Sequence, residues 1–236
     1  MNDSTIVRRA VSIGAVGLGL PLWLLLSPIW LVVSLLADLV GRLWRLPTLR
    51  LCAFAAVYLA HEWIAIGAAA WLWLTGSFGR SPDLATYRSI QSWWAASLYR
   101  WAGRLLNIRL DLGDPTRLPA GRFIMLSRHA SMVDAVIPAL VVAAEGGRYI
   151  HYVIKRELRW DPALDLFGTR LGNHFVARGR DTDAEAAAIA GLAMDAKPES
   201  ALVIFPEGTY ATPHTRERVL QSLRRAGDAA ALARAE

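Results

Sequence analysis

Cysteine is almost missing from this chain: Cys52 is the single one in 236 residues. That excludes a disulfide framework and any cysteine-based zinc knuckle. Lysine is nearly as scarce, since only Lys155 and Lys197 among the 26 basic side chains are Lys. Charge is also thin, at 19% of residues against about 25% in ordinary soluble domains. The shortage is local. Residues 1–80 carry six Arg and three acids, and residues 81–236 carry the other twenty basic and seventeen acidic groups. The first third is lipid-like in composition and the remainder reads as a globular domain, which excludes a disordered chain, a collagen-like repeat and a simple soluble enzyme. The five His are scattered without ligand spacing, and His61-Glu62 does not continue as H-E-x-x-H, so no metal site is expected. The net charge of +6 comes from basic groups that are interleaved with acids or border apolar runs. That pattern favours anionic lipid over nucleic acid.

What is present in the first third is apolar length. Between Arg9 and Asp38 lie 28 uncharged residues, and between Arg50 and Arg80 the only charge is Glu62. Each stretch exceeds the roughly 20 residues that span a bilayer as helix. Pro21 and Pro28 predict a kinked or re-entrant helix in the first, because proline lacks an N–H and clashes with the preceding turn. The stretch is too long for a cleaved signal peptide, and no A-x-A site follows it. The connector 41–50 holds Arg42, Arg45 and Arg50 and no acid, and both flanks are basic as well. A spanning hairpin therefore meets a conflict with the positive-inside rule. A helix pair dipping into one leaflet, with every Arg at one anionic surface, removes it and is slightly preferred. His61 and Glu62, in the middle of the second stretch, are expected to form an interhelical hydrogen bond within the hairpin. The competing reading is a polar wall for a lipid headgroup. Ser81-Pro82 predicts the start of a helix over 82–105. Its Trp93, Trp94, Tyr99 and Trp101, alternating with Arg88, Arg100 and Arg104, suit a membrane interface or a core contact equally well.

Beyond that helix the pattern changes. Short β-branched or aromatic runs at 106–112, 122–127, 149–154, 174–177 and 201–205 predict strands, and 132–144 and 183–196 predict helices. The last twenty residues are also expected to be helical. The alternation indicates an α/β domain: a mixed, largely parallel sheet flanked by helices, preceded by an N-terminal two-helix membrane anchor. The expected division is 1–80 anchor, 81–105 interfacial or packing helix, and 106–236 α/β domain.

Three motifs sit at strand ends. In Ser127-Arg128-His129-Ala130-Ser131-Met132-Val133-Asp134, an HX4D pattern follows a strand. Residues five apart on one continuous helix lie about 140° from each other and do not meet. With Ser131 as N-cap, however, His129 lies on the incoming turn and Asp134 in the first helical turn. The carboxylate can then orient the imidazole, leaving its other nitrogen free to take a proton from a hydroxyl. This is a base and its orienter with no nucleophile in the chain. The second motif, Phe205-Pro206-Glu207-Gly208-Thr209-Tyr210, follows the most apolar strand and displays Glu207 and Thr209 at the sheet edge where open α/β folds bind ligands. The third, Gly172-Asn173-His174-Phe175-Val176-Ala177-Arg178, delivers Arg178 to a strand end. With Lys155 it makes a candidate phosphate pocket, whereas Arg156 and Arg180 read as solvated charges. His151 and His174 are expected to pack or bond within the sheet.

In this order, HX4D (129–134), G-x-x-F-V-x-R (172–178) and FPEGT (205–209) resemble the glycerolipid acyltransferase family, whose best-known members are the 1-acylglycerol-3-phosphate acyltransferases. The segment from Lys155 to Pro162 resembles the stretch between that family's first two motifs, and the resemblance covers about residues 122–210. It implies transfer of a fatty acyl group from acyl-CoA or acyl carrier protein to a lysophospholipid hydroxyl, giving phosphatidic acid from 1-acylglycerol-3-phosphate. His129 is then the general base and Asp134 its orienter. Arg178 and Lys155 bind the acceptor phosphate, and Glu207, Gly208 and Thr209 complete the acceptor site. No cofactor is implied beyond the acyl donor as co-substrate.

Two departures stand out. Tyr210 occupies a position that is commonly Arg in the family, which leaves the headgroup open. The family's fourth motif is missing before Glu236, which points to a fragment. The Arg- and Ala-heavy composition suggests a GC-rich bacterial genome, hence a bacterial cytoplasmic membrane with the α/β domain on its cytoplasmic face. Two other readings stay open: a membrane-bound lipid hydrolase, against which stands the lack of a G-x-S-x-G elbow, and a non-catalytic membrane adaptor.

Overall fold

The computed structural model describes residues 3–76, 83–111, 114, 118–128, 132–177, 182–206 and 213–227. The first uncharged stretch forms two helices, α1 (Asp3–Leu25) and α2 (Ser27–Val40), with the break at Leu26. Pro28 opens α2, where its missing N–H is no loss, while Pro21 is accommodated inside α1. At about 1.5 Å per residue α2 is about 21 Å long, short of the roughly 30 Å hydrocarbon core. Two helices, α1 over Thr5–Leu25 and α3 (Pro47–Leu74), are long and apolar enough to cross a membrane by length and composition. Both α1 and α2 pack on α3.

Helix α4 (Leu84–Leu106) starts two residues later than expected. Its N-cap is Asp83, whose carboxylate accepts from the Ala85 N–H at 3.1 Å and the Thr86 hydroxyl at 2.6 Å. Ser81 and Pro82 lie outside the described residues. The helix takes the core-packing role on one side and leaves aromatic side chains exposed on another. Tyr87, Ala95, Leu98 and Ala102 are buried, and Trp93 and Trp101 face outward.

Four strands, β1 (Phe123–Leu126), β2 (Tyr149–Lys155), β3 (His174–Val176) and β4 (Ser200–Ile204), form one parallel sheet in the order β1-β4-β2-β3. The fold is α/β as expected, and every strand pairing among the described residues is parallel. The expected strand at 106–112 is not one over its described residues, 106–111. Asn107 takes a left-handed conformation that ends α4, and the Leu110 N–H turns back to the Tyr99 hydroxyl at 3.3 Å. The predicted helix over 132–144 is a 3₁₀ turn (Met132–Ala135) followed by a π-helix (Ala139–Glu145). Pro138 has no N–H to donate to a regular ladder, and the wider turns seat a fully buried Ala139–Ala143 run. Helices α5 (Pro162–Arg170), α6 (Thr182–Asp195) and α7 (Pro213–Ala226) complete the described elements.

Two cores result. The first joins Ala95 of α4, the π-helix, and the inward faces of β2 and β4 (Ile150, Tyr152, Ala201, Val203). The second joins the apolar third to the α/β part: Ala65, Ala69 and Leu72 of α3 pack with Tyr87 of α4 and Ala163, Leu166 and Phe167 of α5. At about 1.5–3 kcal/mol per large apolar side chain buried, this shared core fixes one face of α3 on the sheet domain.

The turn that launches β3 has a specific backbone requirement. Gly172 has φ +77°, and the Asn173 N–H donates to Gly168 O at 2.9 Å, the long closing bond of a Schellman cap on α5. Asn173 Oδ1 then accepts from the Tyr152 N–H at 3.0 Å, extending the β2–β3 pairing by one residue. Gly172→Ala is expected to lower stability by about 1–2 kcal/mol from the left-handed backbone alone. The new Cβ would also meet His151 Nδ1 at 3.2 Å. The midpoint of thermal unfolding measures this, and an unshifted midpoint would show that the turn relaxes.

Candidate active site at the carboxyl edge of the sheet

Because all four strands are parallel, their carboxyl ends share one edge. Leu126 stands opposite Ile204, Ile204 opposite Val153, and Lys155 opposite Val176. Three spacings of about 4.8 Å bring the four strand ends within about 14 Å. The Ser127 N–H donates to Ile204 O at 2.9 Å, carrying the β1–β4 pairing one residue further. In sequence, His129 follows β1 by three residues, Glu207 follows β4 by three, and Arg178 follows β3 by two. His129, Arg178, Glu207, Gly208 and Thr209 themselves lie outside the described residues. Of the expected site residues, two are described. Asp134 is half-buried in the 3₁₀ turn after β1, and Lys155 is the half-buried last residue of β2. Strand alternation puts Lys155 on the same sheet face as His151 and Val153. His174 bonds outside the sheet, to Glu185 of α6 at 2.6 Å, and His151 lies against Gly172. Burial is the main cause holding the His151 imidazole below its usual range.

Sequence reasoning missed what grips this edge. The 3₁₀ turn Arg156–Trp160 and the start of α5 come directly after Lys155, and the apolar helices clasp them. The Tyr58 hydroxyl donates to Asp161 Oδ2. Glu62, buried in α3, accepts the Ala163 N–H at 3.0 Å through Oε2 and so satisfies a free N–H in the first turn of α5. Asp161 caps the same helix through the Leu164 N–H at 2.8 Å. Burial pushes the Asp161 carboxyl above the ordinary range, against the Leu164 and Tyr58 hydrogen bonds that favour its ionised form.

Beside them, Asp165, 1% exposed, receives three guanidinium groups. Arg8 Nη2 and Arg159 Nε reach Oδ1 at 3.0 Å each, and Arg9 Nε reaches Oδ2 at 2.6 Å. Arg8 also donates to the Arg159 carbonyl. Burial alone would raise the Asp165 carboxyl, but the Arg8, Arg9 and Arg159 hydrogen bonds outweigh it and hold it below its usual value.

These contacts correct two expectations. Arg8 and Arg9 were assigned to an anionic lipid surface, and they are committed instead to a buried carboxylate. The hydrogen bonds that His61 and Glu62 make to other helices leave the hairpin. His61 Nδ1 faces Val57 O at 2.7 Å and Nε2 faces Ser97 Oγ of α4 at 2.9 Å, with Trp93 stacked on the ring at 5.3 Å. A carbonyl only accepts, so Nδ1 carries a proton, and in the neutral ring Nε2 accepts from Ser97. Neither residue packs its polar group against α1 or α2, because α3 turns that side toward the sheet domain.

The fold and site thus define a parallel α/β domain whose motif-bearing edge is held by N-terminal apolar helices. Residues 109–235 match the acyltransferase family. The chain belongs to that family, which contains the glycerolipid and 1-acylglycerol-3-phosphate acyltransferases, and its α/β part is an acyltransferase domain. No curated protein and no solved structure gives a significant match to the chain.

Proposed function

We propose that this acyltransferase works at a membrane surface, moving a fatty acyl group from acyl-CoA or acyl carrier protein to the hydroxyl of a lysophospholipid, with 1-acylglycerol-3-phosphate as the leading acceptor. The observation that carries this reading is the clasp between the apolar helices and residues 156–165, which ties the lipid-like third of the chain to the edge where the strands leading into the motifs end. Exposed Leu158 and Trp160 on that stretch give the edge an apolar lip suited to a lipid interface. The fit to a bacterial cytoplasmic membrane, with the domain on its cytoplasmic side, rests on the Arg- and Ala-heavy composition and on the Arg of the 41–50 connector, which suit an anionic leaflet.

In this mechanism His129, oriented by Asp134, takes the proton of the acceptor hydroxyl as its oxygen attacks the thioester carbonyl. The tetrahedral intermediate collapses with cleavage of the C–S bond, and the imidazolium returns the proton to the departing thiolate. No acyl-enzyme forms, because the thioester is already activated. Arg178 and Lys155 hold the acceptor's phosphate, with bidentate geometry from Arg178, and Glu207, Gly208 and Thr209 shape the rest of the acceptor site. The test is a panel of lysolipids offered with one acyl donor. 1-Acylglycerol-3-phosphate is expected to be acylated about tenfold or more faster than monoacylglycerol, which has the hydroxyls but no phosphate, since one charged hydrogen bond to phosphate is worth about 1.5–3 kcal/mol. Equal rates would remove the phosphate-reading role of Arg178 and Lys155.

A further inference from the structure

At the opposite end of α3 from the clasp's shared core, the connector between α2 and α3 meets the C-terminal end of α4. Arg45, Pro47 and Arg50 together with Leu106 and Asn107 line a cavity of about 200 Å³. Two of its five lining residues are cations, a third offers a side-chain amide, and none is acidic. Arg45 and Asn107 are exposed, so the cavity is reachable from outside.

The connector is a built structure. Buried Asp38 accepts the Thr48 and Leu49 N–H groups at 3.1 and 3.0 Å, and its own carbonyl accepts the Leu43 N–H at 2.7 Å. Asp38 therefore already satisfies the start of α3, and the two guanidinium groups remain the charged feature of the cavity. Arg42 and Leu46 hold left-handed φ values of 53° and 49° around it, a conformation that costs about 1–2 kcal/mol at a non-glycine residue. The carbonyl end of α4 is offset by Arg104 in its last turn.

The surroundings specify the ligand further. Val40 is 85% exposed and Trp44 79%, and Leu43 and Leu51 are exposed as well. A free anion has no use for such a rim; a phosphate that carries acyl chains does.

We infer that the Arg45–Arg50 cavity is a binding site for the phosphate of an anionic phospholipid, separate from the acyl-transfer edge, which fixes the depth and rotation of the apolar helices at the membrane. The acyl chains lie along Val40, Trp44 and Leu51 while the two arginines hold a phosphodiester whose headgroup carries no cation, since a choline would meet two positive charges and no acid. The inference does not depend on which acceptor is acylated, nor on acyl transfer at all.

The test uses the full chain in neutral detergent and reads its thermal unfolding midpoint with added short-chain phosphatidylglycerol, short-chain phosphatidylcholine or sodium phosphate at equal concentration. Phosphatidylglycerol is expected to raise the midpoint and the other two to leave it in place. Arg45→Gln with Arg50→Gln is expected to abolish the rise. Arg225→Gln, at an exposed position on α7, is expected to keep it. Arg45→Gln alone, whose side chain is exposed and whose backbone carbonyl still accepts from Arg50, is expected to reduce the rise even where the double variant does not fold. An equal rise with sodium phosphate or phosphatidylcholine, or a full rise in Arg45→Gln, overturns the assignment.

Discussion

His129→Ala is expected to lower acyl transfer by about 10²–10⁴-fold, the usual contribution of a positioned general base, while the protein stays with the membrane fraction. The two outcomes separate because the groups lie on different parts of the chain. In sequence His129 follows β1 by three residues, whereas most of the exposed large apolar side chains among the described residues belong to α1, α2 and α3. Asp134→Asn is expected to fall between wild type and His129→Ala, since an amide can still orient the ring but does not favour the imidazolium. Turnover is read as product per unit time at saturating donor and acceptor. Turnover of His129→Ala near the wild-type rate would remove His129 from the chemistry.

The second large effect concerns stability. Asp165→Ala leaves Arg8, Arg9 and Arg159 converging on a site with no counter-charge. Breaking a buried ion network in this way costs about 3–5 kcal/mol. The lower end applies here, because the arginine side chains keep 13–24% of their exposure. At about 2–4 °C per kcal/mol for a chain of this size, the unfolding midpoint should drop by about 6–12 °C.

The pH dependence has a defined sign. The folded-state carboxyl lies below its ordinary 3.8, so its contribution is complete above that value and is lost as pH falls through the lower, folded one. Asp165→Asn should therefore flatten the acid limb of the stability profile as well as lower its plateau. A plateau unchanged in both variants would mean that the clasp contributes nothing to docking α1.

Much of this architecture is written locally in the chain. The runs at 122–127, 149–154, 174–177 and 201–205 predict β1 to β4 to within a residue or two at each end, because parallel strands are short, rich in β-branched and apolar residues and bounded by turn residues. Residues 106–112 alternate equally well, yet the periodicity says nothing about Asn107 ending α4 in a left-handed turn or about Tyr99 drawing Leu110 back. At 132–144 the apolar spacing indicates a helix, and Pro138 decides which kind.

The least legible feature is the clasp. Arg8 and Asp165 are 157 residues apart, and nothing around Asp165 distinguishes it from any acid in the first turn of a short helix. Glu62 carried a signal, since a carboxylate in an apolar run is costly, but the sequence pointed it at the hairpin and the fold points it at α5. For the site, the motifs and their order were legible, and the parallel register supplies what they lacked: a common edge for the strands that lead into them.

The most direct measurement takes the purified 236-residue chain, supplies acyl-CoA, and follows thiol release and lipid products with and without 1-acylglycerol-3-phosphate. Acyl transfer to a lysolipid requires that thiol release depend on the acceptor and that one diacyl product appear per thiol. Free fatty acid released at the same rate without acceptor would mean hydrolysis instead, and an intact, folded protein that binds no acyl donor would mean a non-catalytic adaptor.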